Sequence, residues 1–306
     1  VTGHQAWGVE RIPDQTGRLF VVTGANSGLG LATTRAIARR GGEVILAVRD
    51  ETKGRRAVAE IAADQPGARL EVRRLDLADL DSVRAFAERL RADGVRPDAL
   101  VNNAGVLAPP RTLSAQGHEL QFAANHLGHF ALTGLLLDLL AGGRDPRVVT
   151  VSSSNHRQGR LFFDDLSGER GYSPMGYYNQ SKLANAVFGL ELHRRLAAAG
   201  SPVHSLLAHP GYAATNIQAR AVGPVRLLFG RVLIPLAQTP DRGALPQLFA
   251  ATDPRALGGQ FIGPGGMGEL RGAPKVVRPA PRAVDPETGR RLWELSERLT
   301  GVRYTV

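Results

Sequence analysis

The chain has 306 residues, 43% hydrophobic and 22% charged, an ordinary globular balance that excludes a disordered polymer. It contains no cysteine, which removes disulfides, thiolate catalysis and cysteine-bound zinc or iron–sulfur sites. Its 38 basic residues exceed its 28 acidic ones by ten, but the arginines are scattered among acids, so a solvated surface is expected and no nucleic-acid partner.

The first apolar, β-branched run, 19–23, reads as a buried strand ending in glycines. A helical pattern over 29–40 and a second apolar run over 44–48 complete a βαβ unit within about thirty residues. The alternation continues with a helix over 51–64, a strand over 70–73, a helix over 81–93 and a strand over 99–102. One long helix fits 114–140, on a stripe of Leu120, Ala124, Leu127, Ala131 and Gly134. A strand over 147–152, a helix over 175–199 and a strand over 203–208 follow. This rhythm predicts one α/β domain, a doubly wound parallel sheet with helices on both faces. Its expected parts are a dinucleotide-binding core (19–210), a substrate lid and last strand (211–260) and a C-terminal segment (261–306).

Two connections break the rhythm, 154–174 and 216–240. They carry Phe162, Phe163, Tyr172, Leu227, Leu228 and Phe229, which suit substrate walls or a lid. For the apolar segment 224–235 a lid is favoured over a peripheral membrane contact. A terminal helix is expected from Asp285 as cap, with Pro286 first and Gly301 as stop. Apolar runs 132–140 and 227–237 are broken by Gly134, Asp138, Arg231 and Pro235, so no transmembrane span is expected. No basic-then-apolar leader is visible either, and a cytoplasmic location is expected.

Between the first strand and helix lies Thr23-Gly24-Ala-Asn26-Ser27-Gly28-Leu29-Gly30. Gly24 permits a tight turn, Gly28 lets the backbone approach a pyrophosphate, and Gly30 lets helix and strand pack closely. The helix N-terminus then presents free N–H groups to phosphate. No Gly-Lys-Ser/Thr follows, which excludes a nucleotide-triphosphate loop. At the end of the second strand Val48 stands where an acid would grip the ribose of NAD, and Arg49 follows it. A guanidinium there pairs with a 2′-phosphate, so NADP is favoured over NAD; the alternative leaves Arg49 solvated and gives the ribose to Asp50.

Tyr178 and Lys182 fall four residues apart on one helix face. A phenol with an ordinary pKa of about 10 is a poor base near neutrality. A neighbouring ammonium and a positively charged nicotinamide would lower it.

Together these residues resemble the short-chain dehydrogenase/reductase family over nearly the whole chain, with its Rossmann-type fold. The matched elements are Thr23-Gly24 through Gly30, Asn103-Ala104-Gly105, Tyr178 with Lys182, a strand-end serine within Val151-Ser152-Ser153, Asn125 and Pro210-Gly211. The resemblance implies that Asp76-Leu77 contacts adenine and that Thr215 reaches the nicotinamide carboxamide. It implies hydride transfer between nicotinamide and the carbonyl or carbinol carbon of a small molecule, and the apolar content of the two long connections points to a lipophilic substrate. Tyr178 would be general acid/base and Ser153 would hold the substrate oxygen, with Ser152 and Ser154 as alternatives. Lys182 would hold the ribose, and Asn125 a water in a proton relay. Family members often form homodimers through the helices bearing Asn125 and Tyr178.

The retinol dehydrogenase-like branch is the nearest likeness, on Asn125-His-Leu-Gly-His-Phe130, Gln180-Ser-Lys-Leu-Ala-Asn185 and Leu292-Trp-Glu-Leu-Ser-Glu. The long Ser153–Tyr178 interval is shared with that branch and with protochlorophyllide reductases, which use an active-site cysteine absent here. The membrane anchor that retinol dehydrogenases often carry is not expected in this chain. A dinucleotide-binding sensor without turnover is the alternative function, although it would not need Ser153, Tyr178 and Lys182 together. Nucleotide-sugar epimerases fit less well, because their glycine turn is spaced differently. His126 and His129 lack a third ligand, so no metal site is expected. Asp164 and Asp165, being adjacent, do not read as a hydrolase pair.

Overall fold

The computed structural model describes residues 6–213 and 237–305. Its first half runs β1 (Leu19–Thr23), α1 (Gly28–Ala38), β2 (Glu43–Val48), α2 (Glu51–Asp64), β3 (Leu70–Arg74), α3 (Leu80–Ala92) and β4 (Ala99–Asn102). There follow α4 (Leu120–Phe122), a π-helical turn (Ala123–Leu127), α5 (Gly128–Ala141), β5 (Arg147–Val151), α6 (Pro174–Ala198) and β6 (His204–Ala208). Beyond residue 236 come α7 (Pro240–Gly243), α8 (Leu245–Thr252), β7 (Phe261–Pro264), β8 (Pro274–Val276), α9 (Pro281–Val284) and α10 (Pro286–Thr300).

The strands form one sheet in the order β3-β2-β1-β4-β5-β6-β7-β8, parallel except for the antiparallel β7–β8 pair. The chain thus winds outward from β1 in both directions, and the strand order reverses between β1 and β4. Both sheet faces are buried, which is why β1, β2, β4 and β5 read as continuous apolar runs. Val21, Ile45, Leu100 and Val148 face Phe86, Phe130, Leu136 and Phe188; Phe20, Val22, Leu46 and Val101 face Ala36, Ile37 and Leu248.

Each face also receives one tryptophan. Trp7 meets Phe249 edge-on with ring centroids 5.3 Å apart, and its Nε1 donates to Asp253 at 2.7 Å. Trp293 of α10 packs against Phe130 and Tyr304 at 5.2 and 4.5 Å. Helix α10 starts at Asp285, whose carboxylate caps Thr288, and stops at Gly301 in the left-handed region, φ 69°. It lies against α6 and α5.

Two expectations are corrected. The helix expected over 114–140 begins only at Leu120, because Gly117 turns at φ +80° and the Glu119 carboxylate caps Phe122 N at 2.7 Å. It is then interrupted by the π turn around Asn125. The last strands lie at 261–264 and 274–276, beyond the 211–260 segment expected to hold one. No helix among the described residues is long and apolar enough to cross a membrane.

Candidate active site

Parallel pairing delivers the ends of β1, β4, β5 and β6 to one edge of the sheet, where the glycine turn opens. A cleft of about 590 Å³ lies there. Gly24, Asn26, Ser27, Gly28, Leu29, Arg49, Asp76, Leu77, Asn103, Ala104 and Gly105 all line it. Gly24 and Gly28 hold φ +67° and +54°, conformations that other residues resist. A Cβ on Gly24 would stand 3.0 Å from the Ala104 Cβ, and one on Gly30 would meet Asn103 Nδ2 at 2.7 Å and the Gly24 carbonyl. Gly30 therefore acts by close packing rather than by lining the cleft. Ser27 makes no side-chain cap to α1, so the first-turn N–H groups remain available to an anion. These features fit a dinucleotide.

A buried hydrogen-bond network fixes the floor of the cleft. Thr23 Oγ1 accepts from the backbone N–H groups of Asn103 and Ala104, both at 2.9 Å. Its remaining proton points to His129 Nε2 at 2.9 Å. His129 Nδ1 lies 2.9 Å from the Asn125 carbonyl, which can only accept, so Nδ1 carries the imidazole proton. Burial pulls the His129 pKa down to about 4 and keeps the ring neutral. The Asn125 amide in turn clamps Val106, accepting from its N–H at 2.7 Å and donating to its carbonyl at 3.0 Å. Its second amide proton goes to Ser181 Oγ at 2.9 Å. Both donors of this side chain are thus engaged in holding the 103–106 loop against α6.

The other end of that loop reaches the phenol. Leu107 and Ala108 pack with Met175 around Tyr178, which is 8% exposed. Ser173 caps α6 and Pro174 fills its first position, so the register of Tyr178, Lys182 and Asn185 on the inner face is set locally. Burial pushes the Tyr178 pKa up to about 12, and a hydrogen bond with the Ser153 side chain opposes that rise. Lys182 Nζ lies 5.9 Å from the Tyr178 ring centre and donates to the Val151 carbonyl at 3.2 Å. Burial brings its pKa down to about 8. Ser152 is committed elsewhere, donating to the Lys182 carbonyl at 2.7 Å, and Ser154 opens a short 3-10 turn that Ser153 caps.

Pro210 and Gly211 follow β6 at the same edge, with Gly211 at φ +67°. They do not line the cleft. Thr215 lies outside the described residues, as does the 216–240 connection up to residue 236. In the 154–174 connection Phe163 packs into a cluster with Leu292, while the Tyr172 hydroxyl donates toward Glu119 at 3.0 Å. Sequence reasoning missed Lys53 and Arg56, which line the cleft beside Arg49. Their spacing of three on one helix face was the available signal. Arg49 and Arg56 form no ion pair among the described residues, whereas Asp50 caps α2 at Lys53 N and faces Lys53 Nζ at 3.6 Å.

Comparison with known proteins agrees with this geometry. The family model described as short chain dehydrogenase matches residues 18–223. Mouse retinol dehydrogenase 14 is 38% identical over 300 residues, spanning 94% of this chain and 86% of that protein. Mouse polyprenol dehydrogenase is 40% identical over 296 residues, spanning 95% and 86%. Among solved structures, an uncharacterized protein from Mycobacterium paratuberculosis superposes with a TM-score of 0.82 at 43% identity, covering 99% of this chain and all of that one. A short chain dehydrogenase from Shigella flexneri complexed with NADP superposes with a TM-score of 0.66 at 25% identity, covering 82% and 98%. With its glycine turn, its Asn103 loop and its Ser153–Tyr178–Lys182 group on the expected elements, the chain belongs to the short chain dehydrogenase family, and is retinol dehydrogenase-like within it.

Proposed function

We propose that this NAD(P)-dependent oxidoreductase prefers NADP(H) and interconverts a lipophilic alcohol with its carbonyl compound. The observation that carries the redox reading is the group formed by half-buried Ser153 with buried Tyr178 and Lys182; these three do not line the cleft themselves but lie behind the 103–108 loop, whose Asn103 to Val106 do. NADP supplies hydride transfer at its nicotinamide, and Gly24 to Gly30, Asn103 to Gly105 and Lys182 would hold it. The guanidiniums of Arg49 and Arg56, without an ion-pair partner among the described residues, favour a 2′-phosphate together with Lys53; Asp50, engaged as a cap, is a poor ribose partner. Solved relatives complexed with NADP or NADPH support the same choice.

In carbonyl reduction Tyr178 gives its hydroxyl proton to the substrate oxygen, and Ser153 donates a hydrogen bond to that oxygen as charge develops. In alcohol oxidation the phenolate must form, which burial of Tyr178 opposes and a nearby ammonium favours. Asn125 works through structure, fixing the loop that separates cofactor from phenol. A water held by Asn125 would have to use its free Oδ1 lone pair or backbone carbonyl. Leu107, Ala108 and Met175 give the phenol an apolar surround, and relatives named for retinol and polyprenol support a lipophilic substrate.

The test is a panel of aldehydes and ketones of increasing chain length, followed by NADPH absorbance. Turnover that rises with apolar chain length and vanishes in Tyr178→Phe is expected. NADPH binding without turnover across the panel would instead favour the dinucleotide sensor.

A further inference from the structure

The loop that leaves the cofactor cleft is gripped twice by one helical stretch. Asn125 of the π turn pairs with both backbone groups of Val106. Gln121 of α4 takes up the chain two residues further on, where its Oε1 accepts from the Ala108 N–H at 2.8 Å. Both side chains are 0% exposed.

The orientation of the Gln121 amide is fixed by its neighbours. The Ala108 N–H can only donate, and the Pro174 carbonyl, 3.0 Å from Nε2, can only accept, so the amide oxygen and nitrogen cannot be exchanged. The second Nε2 proton goes to the Tyr172 hydroxyl at 3.0 Å. That hydroxyl gives its own single proton to Glu119 at 3.0 Å, and the other Glu119 oxygen caps Phe122 N. The amide therefore ties Ala108 to the 154–174 connection and to the first turn of α6.

What it holds is a backbone that alanine resists. Ala108 has φ +47°, and only three non-glycine residues among the described residues have a positive φ. In that region the Cβ crowds the following carbonyl, a penalty worth about a tenfold population ratio. An Ala108 that relaxed to negative φ would turn its N–H away from Gln121. It would also carry off the wall that Leu107 and Ala108 form with Met175 around Tyr178.

We infer that Gln121 is a positioning residue for Tyr178: by holding Ala108 in the left-handed region it keeps the Leu107–Ala108 wall seated on the phenol. Leu107 and Ala108 are 4% and 0% exposed, so the wall acts on the phenol rather than on a substrate, and its loss is felt in kcat rather than KM. Asn125 fixes Val106 independently, which insulates the cofactor side of the loop. The catalytic consequence rests on the role proposed above for Tyr178, whereas the grip on Ala108 is a property of the protein alone.

The test is a double-mutant cycle between Gln121→Met and Ala108→Gly. In Gln121→Met, kcat for carbonyl reduction should fall by about tenfold, with the substrate KM and the NADP⁺ Kd within about twofold of the parent. Glycine takes positive φ without steric cost, so Ala108→Gly alone should keep kcat within about twofold, and the double variant should recover it to within about threefold. A purely structural role for Gln121 would lower the melting temperature and leave kcat unchanged, which overturns the inference. A double variant no faster than Gln121→Met overturns it too. Should Gln121→Met fail to fold, the double variant decides: a folded protein with kcat within about threefold of the parent supports the inference, and one that also fails to fold sinks it.

A readout without substrate accompanies the cycle. Amide exchange of Ala108, followed by NMR, should quicken by at least about tenfold in Gln121→Met, while that of Val106, held by Asn125, changes by less than about threefold. Equal changes at both amides, or none at Ala108, would refute the grip. If the parent turns over no carbonyl compound, the oxidoreductase reading fails, and the amide exchange still reports on Gln121.

Discussion

Replacing Thr23 by valine keeps the shape of a fully buried side chain and removes one hydroxyl. That hydroxyl is the acceptor for two backbone N–H groups, of Asn103 and Ala104, and the donor to His129 Nε2. The Asn103 N–H keeps a second acceptor, the Val101 carbonyl at 2.9 Å, so the groups left without a partner are the half-buried Ala104 N–H and His129 Nε2. An unsatisfied buried polar group costs about 1–3 kcal/mol, and at the low end for each the loss comes to about 2 kcal/mol. For a chain of 306 residues the entropy of unfolding is about 0.6 kcal/mol/K, so the melting temperature should fall by about 3 °C. Thr23→Ser keeps the hydroxyl and is the control. Scanning calorimetry of both variants, with and without NADP⁺, should show the valine variant alone shifted. The cofactor should also restore less stability to it, because the Asn103 loop has lost its anchor. A valine variant melting within about 1 °C of the serine variant would refute the network's role.

Tyr178→Phe should lower turnover by at least about a hundredfold with NADP⁺ affinity nearly unchanged, as stopped-flow and equilibrium titration would show; near-normal turnover refutes the general-acid assignment. Arg49→Asp should weaken NADP⁺ by at least about tenfold while sparing NAD⁺, and equal loss for both would assign Arg49 to structure. Burial holds His126 at about 3 and His129 and His209 at about 4 in the folded chain. Between pH 6.5 and 4 the unfolded chain therefore binds protons that the folded chain refuses, and stability falls as pH falls. Three such groups give a slope of up to about 4 kcal/mol per pH unit in urea unfolding, and constant stability down to pH 5 would contradict their burial as neutral rings.

Much of this architecture was legible because its constraints are strong. Strands buried on both faces must be apolar throughout, as Val44 to Val48 are, and the glycine turn tolerates few other residues at Gly24 or Gly30. The failures have equally local causes. The apolar stripe through Leu120 and Ala124 continues a helical pattern, but Glu119 and Gly117 start the helix later than the stripe alone implies. The π turn adds one residue to a single turn, which barely alters periodicity while bringing both Asn125 and His126 inside. Strand β8 is three residues long, begins with Pro274 and exposes Lys275 and Val276, so no alternation marks it. Site residues on the motifs were readable, whereas Thr23, His129 and Gln121 act through hydrogen bonds across elements, a relation that spacing along one chain does not display.

The placement of the two indoles gives the molecule a pair of internal spectroscopic gauges. Trp7 couples the N-terminal stretch to one layer of the sandwich, and Trp293 couples the last helix to the other. Phenylalanine at either position leaves a single emitter, so each layer's loosening can be followed separately in one unfolding experiment. Emission changes that coincide at both positions would mean that the layers come apart together; a lag would identify which end of the chain lets go first.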